Sequence, residues 1–211
     1  MPAAEALPTR SARKRGAIVD AARTTFLRKG YGGATMDEVA ALAAVSKQTV
    51  YKHFADKKGL FTAIVTGEID EAERLTHDMV AALGASDDLA PDLRSFARRH
   101  VAEVMRPHLV RLRRIVIAEA EQFPELARTW FASGPERAHA TLAEQFGRLA
   151  ERGLLHLDDP LLAAQHFNWL VLAIPLNDAM FHPGAAPTAE ELERQADAGV
   201  RVFLAAYGTG D

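Results

Sequence analysis

Apolar positions recur at helical spacing along the whole chain, and no stretch alternates with period two over the length of a strand. The pattern predicts an all-α protein of nine to ten helices, with a small three-helix head, a connecting helix and a helical body. Ile18, Ala22 and Phe26 form the buried stripe of a first helix over Ser11–Lys29, which Gly30, Gly32 and Gly33 bring to an end. Thr35-x-x-Glu38 is a capping box that opens a second helix, with Val39 and Leu42 facing inward. Ser46 caps a third helix ending near Phe54, and Asp56 caps a long fourth that runs to Leu83.

After a break over Gly84–Leu89, Pro91 falls in the first turn of the next helix. Pro107, Pro124 and the Gly134-Pro135 pair punctuate three further helices. Asp158 or Asp159 opens a helix from Pro160 to Phe181 that is apolar nearly all round, and Pro175 is expected to bend it near Val171. His182–Pro187 reads as a loop, and Thr188-x-x-Glu191 caps a last helix to Tyr207. The expected organisation is an arm over residues 1–10, a helix-turn-helix head over 11–55, a connecting helix over 56–83 and a body over 84–211.

Composition narrows this picture only where it is uneven. A chain of 211 residues without cysteine can bury a sizeable core and excludes disulfides and thiolate metal sites. The first nine residues carry no secretory pattern, and the apolar run Trp169–Leu176 is too short to span a bilayer, so a cytoplasmic location is expected. The net charge of -3 hides an asymmetry: residues 1–60 hold 11 Lys and Arg against 5 Asp and Glu, residues 61–211 hold 14 against 23. All six lysines (Lys14, Lys29, Lys47, Lys52, Lys57 and Lys58) lie in that first segment. A basic head on an acidic body attracts a polyanion to one end.

On a helical wheel, Val50 and Phe54 share one face of the third helix and must pack inward. Gln48 and Lys52 then point outward, flanked by Thr49 and Tyr51, while Ser46 and Lys47 lie at the N-terminal end that favours phosphate. This is the division of labour of a recognition helix. Gln48 suits adenine, Lys47 or Lys52 guanine and the Thr49 methyl thymine. Thr35, Tyr51 and Lys57 suit phosphates, which set register. A polar helical face is more often merely solvated. Two capped helices at helix-turn-helix spacing, the outward basic face and the basic segment Arg10, Arg13, Lys14 and Arg15 together tip the balance to DNA.

The segment Gly30–Phe61, with TMDEVA followed by VSKQTVYKHF and then D-K-K-x-L-F, resembles the signature of TetR-family transcription regulators. The resemblance covers about a quarter of the chain. It implies that Thr35, Ser46, Lys47, Gln48, Thr49, Tyr51, Lys52, His53 and Lys57 face DNA. One departure is Ala44, where many members of the family carry glycine; a positive φ there would cost alanine about 1–2 kcal/mol. Arg111–Ala127 also resembles the regulatory domain of one large TetR subgroup.

The resemblance further implies a homodimer paired through helices 160–181 and 188–207, reading two half-sites of double-stranded operator DNA. It implies a repressor released by a small hydrophobic effector in the body. Phe96, His100, Glu119, Phe123, Trp130, His166 and Trp169 are the candidate effector contacts, with most aromatics of the body expected to be core. The competing reading is a helical small-molecule-binding protein with a vestigial head. No enzyme, metal or cofactor is expected. Glu136-x-x-His139 lacks the second copy a di-iron bundle needs, no histidine pair has ligand spacing on one helix, and no nucleophile motif or phosphate-cradling loop occurs.

Overall fold

The computed structural model describes residues 9–184 and 186–209, the side chains of 72, 73 and 75–79 left aside. Most of the expected arm, residues 1–8, lies outside the described residues, as do Ala185 of the predicted loop and the last two residues. Ten α-helices account for nearly all of the described chain: α1 Arg10–Gly33, α2 Met36–Leu42, α3 Lys47–His53, α4 Lys57–Leu83, α5 Leu89–Val104, α6 Pro107–Ala118, α7 Pro124–Phe131, α8 Arg137–Glu151, α9 Pro160–Phe181 and α10 Ala189–Tyr207. They form two compact units. The first takes the chain through Gly67 together with Ile115–Thr129; the second takes Glu68–Arg114 and everything from Trp130 onward. The segment 115–129 therefore packs with the head, whereas the sequence reading assigned it to the body.

In the first unit, α1 begins at Thr9, whose Oγ1 accepts from the Ala12 N–H at 3.2 Å. Gly30 adopts φ 73°, a left-handed conformation suited to glycine, and breaks the helix where the glycine cluster predicts. Ile18, Ala22 and Phe26 are fully buried. The Phe26 ring meets Phe61 edge-on at 4.9 Å, and Tyr31 meets Phe61 at 5.2 Å and Phe123 at 4.8 Å. Truncating a ring in such a cluster costs about 3–5 kcal/mol. Burial, then nearby Asp56 and Glu119, push the Tyr31 hydroxyl pKa above its usual value.

One head expectation is corrected. Leu42 is 54% exposed, not inward. The buried stripe of α2 is Met36, Val39 and Ala40, and Leu42 lies about 120° round the wheel from Met36 and about 160° from Ala40. At the start of α2, Thr35 Oγ1 accepts from the Glu38 N–H at 3.2 Å, but the Glu38 carboxylate pairs with Lys29 as well as with the Thr35 hydroxyl. That Lys29 contact is the main cause of a lowered Glu38 pKa. Ala44 has φ 52°, the positive value the sequence raised as its doubtful joint.

The core of the second unit is an aromatic cluster. Phe167 of α9 stacks on Phe96 of α5 at 5.8 Å and meets Phe146 of α8 and Phe203 of α10 edge-on at 5.7 and 5.3 Å. α10 approaches α9 closely because of Gly199, where a Cβ would stand 2.8 Å from the Leu170 carbonyl oxygen. The same oxygen accepts from Gln195 Nε2 at 3.1 Å. The Thr188–Glu191 capping box forms in both directions. α9 continues through Pro175 as one helix. The expected interruption at Gly134-Pro135 is also overturned: the chain passes from α7 to α8 through a π-helical segment, Ala132–Glu136. The wider π turn carries a proline without ending the helix, and such turns recur at functional sites.

Candidate functional site

Two places in the molecule carry unusual polar chemistry. One is the outer face of α3, in the first unit. Val50 is fully buried and Phe54 nearly so, as the wheel requires, while Gln48, Tyr51 and Lys52 are exposed and His53 half-buried. Ser46 caps the helix: its Oγ accepts from the Thr49 N–H at 3.1 Å and shares a 2.8 Å hydrogen bond with the Thr49 hydroxyl. Lys47 reaches across to Asp37 of α2 at 2.8 Å, and that hydrogen bond raises its pKa. The Arg15 guanidinium lies over the Phe54 ring at 5.1 Å, on an α1 start that is exposed from Arg10 to Gly16.

Lys57 behaves differently from the other head lysines. Its Nζ donates to the Ala34 carbonyl at 3.1 Å and the Gly32 carbonyl at 3.4 Å, and stands over the Tyr31 ring at 4.6 Å. It closes off carbonyls at the end of α1 and is half-buried. As found, this cation serves the packing of the head, where the sequence alone suggested a free phosphate clamp. The signal was hidden because the carbonyls it meets lie 23 and 25 residues away. Thr35 likewise uses its hydroxyl on Glu38.

The second place is a cavity of about 170 Å³ inside the second unit. Of the predicted effector contacts, Phe96, His100, Trp130 and Trp169 line it. Glu119 and Phe123 do not, because both belong to the first unit, where Phe123 packs on Tyr31. His166 is exposed and shares a 2.6 Å hydrogen bond with the Tyr207 hydroxyl. Much of the remaining wall is apolar: Ile69 and Val80 of α4, Leu109 and Val110 of α6, Leu142 of α8, and Leu172 and Leu176 of α9.

Of the cavity's polar set, the sequence points to His100 but not to Glu103, Arg113 or His139 as effector contacts. His100 Nε2 donates to Asn168 Oδ1 at 3.0 Å, and burial holds the imidazole pKa below its usual value. His139 is 5% exposed, its Nε2 has no hydrogen-bond partner, and burial lowers its pKa as well. Glu103 forms an ion pair with Arg106 at 3.2 Å. Arg113, whose pKa is lowered by desolvation alone, has no anion within ion-pair distance among the described residues. The π segment supplies Gly134 and Pro135 to the wall. The one available sequence signal was the Gly-Pro pair, which reads as a break on propensity.

The capped α2–turn–α3 unit with its outward polar face defines a helix-turn-helix DNA-binding protein. Residues 18–64 match the family described as bacterial regulatory proteins of the tetR family, and residues 91–209 the family described as the AefR-like transcriptional repressor, C-terminal domain. The chain belongs to the TetR family of transcription regulators.

A TetR-family transcriptional regulator from Mesorhizobium loti has a solved structure that is 42% identical, with a TM-score of 0.90 over 96% of this chain and 100% of that one. The flavonoid-responsive regulator FrrA is 31% identical, with a TM-score of 0.76 over 94% of this chain and 99% of its own. The transcriptional activator FasR of Mycolicibacterium smegmatis is 40% identical over 57 residues, 27% of this chain. The icaADBC negative regulator IcaR of Staphylococcus aureus is 41% identical over 44 residues, 21% of this chain. This chain spans only about a quarter of the length of these curated relatives, 26% of FasR and 24% of IcaR. No helix among the described residues is long and apolar enough to cross a membrane.

Proposed function

We propose that this protein is a homodimeric repressor that binds operator DNA through α3 and leaves it when a small, largely apolar molecule occupies the cavity of the second unit. The carrying observation is the split face of α3, with Val50 buried against Gln48, Tyr51 and Lys52 exposed on one seven-residue capped helix. Gln48, Thr49 and Lys52 read bases in this scheme, while Ser46, Lys47, Tyr51 and His53 hold the backbone. Lys57 and Thr35 act as second-line contacts, since each must first give up an internal hydrogen bond.

Dimerisation through α9 and α10 is supported by apolar side chains left exposed on both. Leu161, Leu162, Trp169, Ile174 and Phe181 of α9 and Val202 of α10 are each between 44% and 73% exposed. Large apolar side chains left in water on these two helices are the kind of surface a partner helix covers. The match to a repressor family over 91–209 favours repression, and FasR, an activator, is similar over only 57 residues. The flavonoid response of FrrA, similar over nearly its whole length, favours an aromatic effector here too. Operator binding gives the protein a cytoplasmic workplace.

A gel shift on the DNA upstream of its own gene tests the reading. Retardation of that duplex over random sequence, relieved by an effector, supports it. With about eight phosphates contacted per dimer, log affinity should fall against log salt with a slope of about -7. Equal affinity for random duplex, or no retardation while small molecules still bind, would instead favour a ligand-binding protein with a vestigial head.

A further inference from the structure

The cavity's charges are unevenly satisfied, and the imbalance says what sort of molecule fits. Its polar groups divide into those that answer one another and those that do not. His100 and Asn168 are hydrogen-bonded together at 3.0 Å. The Glu103 carboxylate has the Arg106 charge at 3.2 Å, although its buried Oε2 accepts no hydrogen bond. Arg113 and His139 Nε2 are left, beside a Glu103 Oε2 whose charge is met but whose hydrogen-bond capacity is not. The first has no anion within ion-pair distance among the described residues, and the second is a buried ring nitrogen with no hydrogen-bond partner.

A guanidinium cannot shed its proton in a protein, so Arg113 keeps a positive charge in a wall dominated by Leu109, Val110, Leu172 and Leu176. An unpaired charge in apolar surroundings is unfavourable until an anion meets it. The cavity also presents three large rings, Phe96, Trp130 and Trp169. Among the described lining residues a cationic ligand would find one carboxylate, Glu103, whose charge already faces Arg106. A neutral ligand would leave Arg113 as it stands. Both are poorer fits than an anion.

We propose that the effector is a flat aromatic acid, its carboxylate paired with the Arg113 guanidinium and hydrogen-bonded by His139, its ring set among Phe96, Trp130 and Trp169. This deepens the proposed regulatory reading and rests on it for the word effector, but the anion site itself can be measured without DNA. A planar carboxylate matches the two parallel N–H groups of a guanidinium, which makes this pairing strong and directional. Acidic phenols share the chemistry less well, because one oxygen engages one N–H.

The chain carries its own reporter. Both of its two tryptophans, Trp130 and Trp169, line the cavity, so quenching of intrinsic fluorescence reads occupancy directly. The full-length protein is titrated with three matched pairs: benzoate and benzamide, naphthoate and naphthamide, biphenylcarboxylate and biphenylcarboxamide. At least one acid should bind about ten- to a hundredfold more tightly than its amide, the range of one charge-assisted contact. Arg113→Gln should erase the preference for acid over amide, and Arg113→Lys should restore part of it.

Equal affinities for acid and amide would overturn the proposal, and so would an Arg113→Gln protein that still prefers the acid, or no quenching by any acid. The comparison in the unaltered protein stands even if a variant fails to fold. A parallel gel shift keeps the two readings separable. Acid binding that never releases DNA removes the regulatory reading and leaves the anion site. Release by acid and amide alike removes the anion site and leaves the regulatory reading.

Discussion

The head and the cavity use polar groups in opposite ways. On the head, most of the groups suited to DNA are already occupied: Ser46 with Thr49, Lys47 with Asp37, Thr35 with Glu38 and Lys57 with two backbone carbonyls. In the cavity, Arg113 and His139 Nε2 stand without described partners. The difference follows from exposure. A surface ion pair such as Lys47–Asp37 is screened by water and contributes little, so Asp37 is readily exchanged for a phosphate. A buried group has no such cheap exchange. Leaving it unpaired in the free protein turns the ligand's arrival into the step that satisfies it.

The sharpest break within this comparison lies between two lysines of the head. Lys57→Ala removes hydrogen bonds to the Ala34 and Gly32 carbonyls and a cation over Tyr31, and should cost about 1.5–3 kcal/mol of stability. Lys47→Ala should leave stability nearly unchanged but reduce the salt slope by about 2 per dimer, one phosphate from each head. Urea unfolding and salt-dependent gel shifts measure the two effects. Equal stability losses would mean that Lys57 is no more internal than Lys47.

The cavity gives the opposite sign. Arg113→Met exchanges an unpaired cation for an apolar chain of similar length and should stabilise the protein by about 1–2 kcal/mol, at the expense of binding an acid. Thermal unfolding without ligand decides this. A lower melting temperature would show that Arg113 is supported by the fold after all.

How much of this was readable beforehand depends on range. Caps and faces are local, so the stripe Ile18, Ala22 and Phe26, the Ser46 cap, the inward Val50 and Phe54, and the Thr188–Glu191 box follow from residues within four positions of one another. The positive φ at Ala44 is suggested only by the resemblance, through the glycine that many TetR-family members carry at that position. Leu42 was misjudged because a seven-residue helix gives too short a stripe to fix its centre. The cavity was only half legible. Phe96, His100, Trp130 and Trp169 stood out as bulky or titratable groups. Arg113 looked like one arginine among many, because its lack of a partner is a property of the packed structure. Gly134-Pro135 carries the composition of a break, and only the packed helices reveal a π turn there.

The buried histidines sharpen the contrast through pH. Burial lowers the pKa of His100 and His139, so each binds a proton less readily folded than unfolded. Their neutral forms are therefore fully compatible with the fold above the unfolded value of about 6.5. Stability is lost as pH falls below that value and through the depressed folded ones. The urea midpoint should drop between about pH 7.5 and about pH 5, and less steeply in His139→Asn. Lys47 and Glu38, exposed on the head, should contribute little to that slope. A midpoint that falls equally in the protein and the variant would remove His139 as a cause.

The smallest expected effect concerns the turn that aims α3. Ala44 sits at φ 52°, where a Cβ crowds the following carbonyl at a cost of about 1–2 kcal/mol. Glycine would relieve that strain, but it would also lose more freedom on folding, by about 0.5–1 kcal/mol. Ala44→Gly should therefore stabilise the head by no more than about 1 kcal/mol, seen as a small rise in urea midpoint with an unchanged slope. Ala44→Val tests the same geometry from the other side, because a β-branched residue at positive φ is strained further and should destabilise. The turn holds its shape through the Ala44 N–H donating to the Ala41 carbonyl at 3.2 Å and the Val45 N–H to the Ala40 carbonyl at 3.0 Å. If those bonds set the aim of α3, Ala44→Gly should leave operator affinity unchanged while stability rises. A loss of affinity without a loss of stability would mean that the alanine's stiffness, and not the hydrogen bonds, keeps the recognition helix in register.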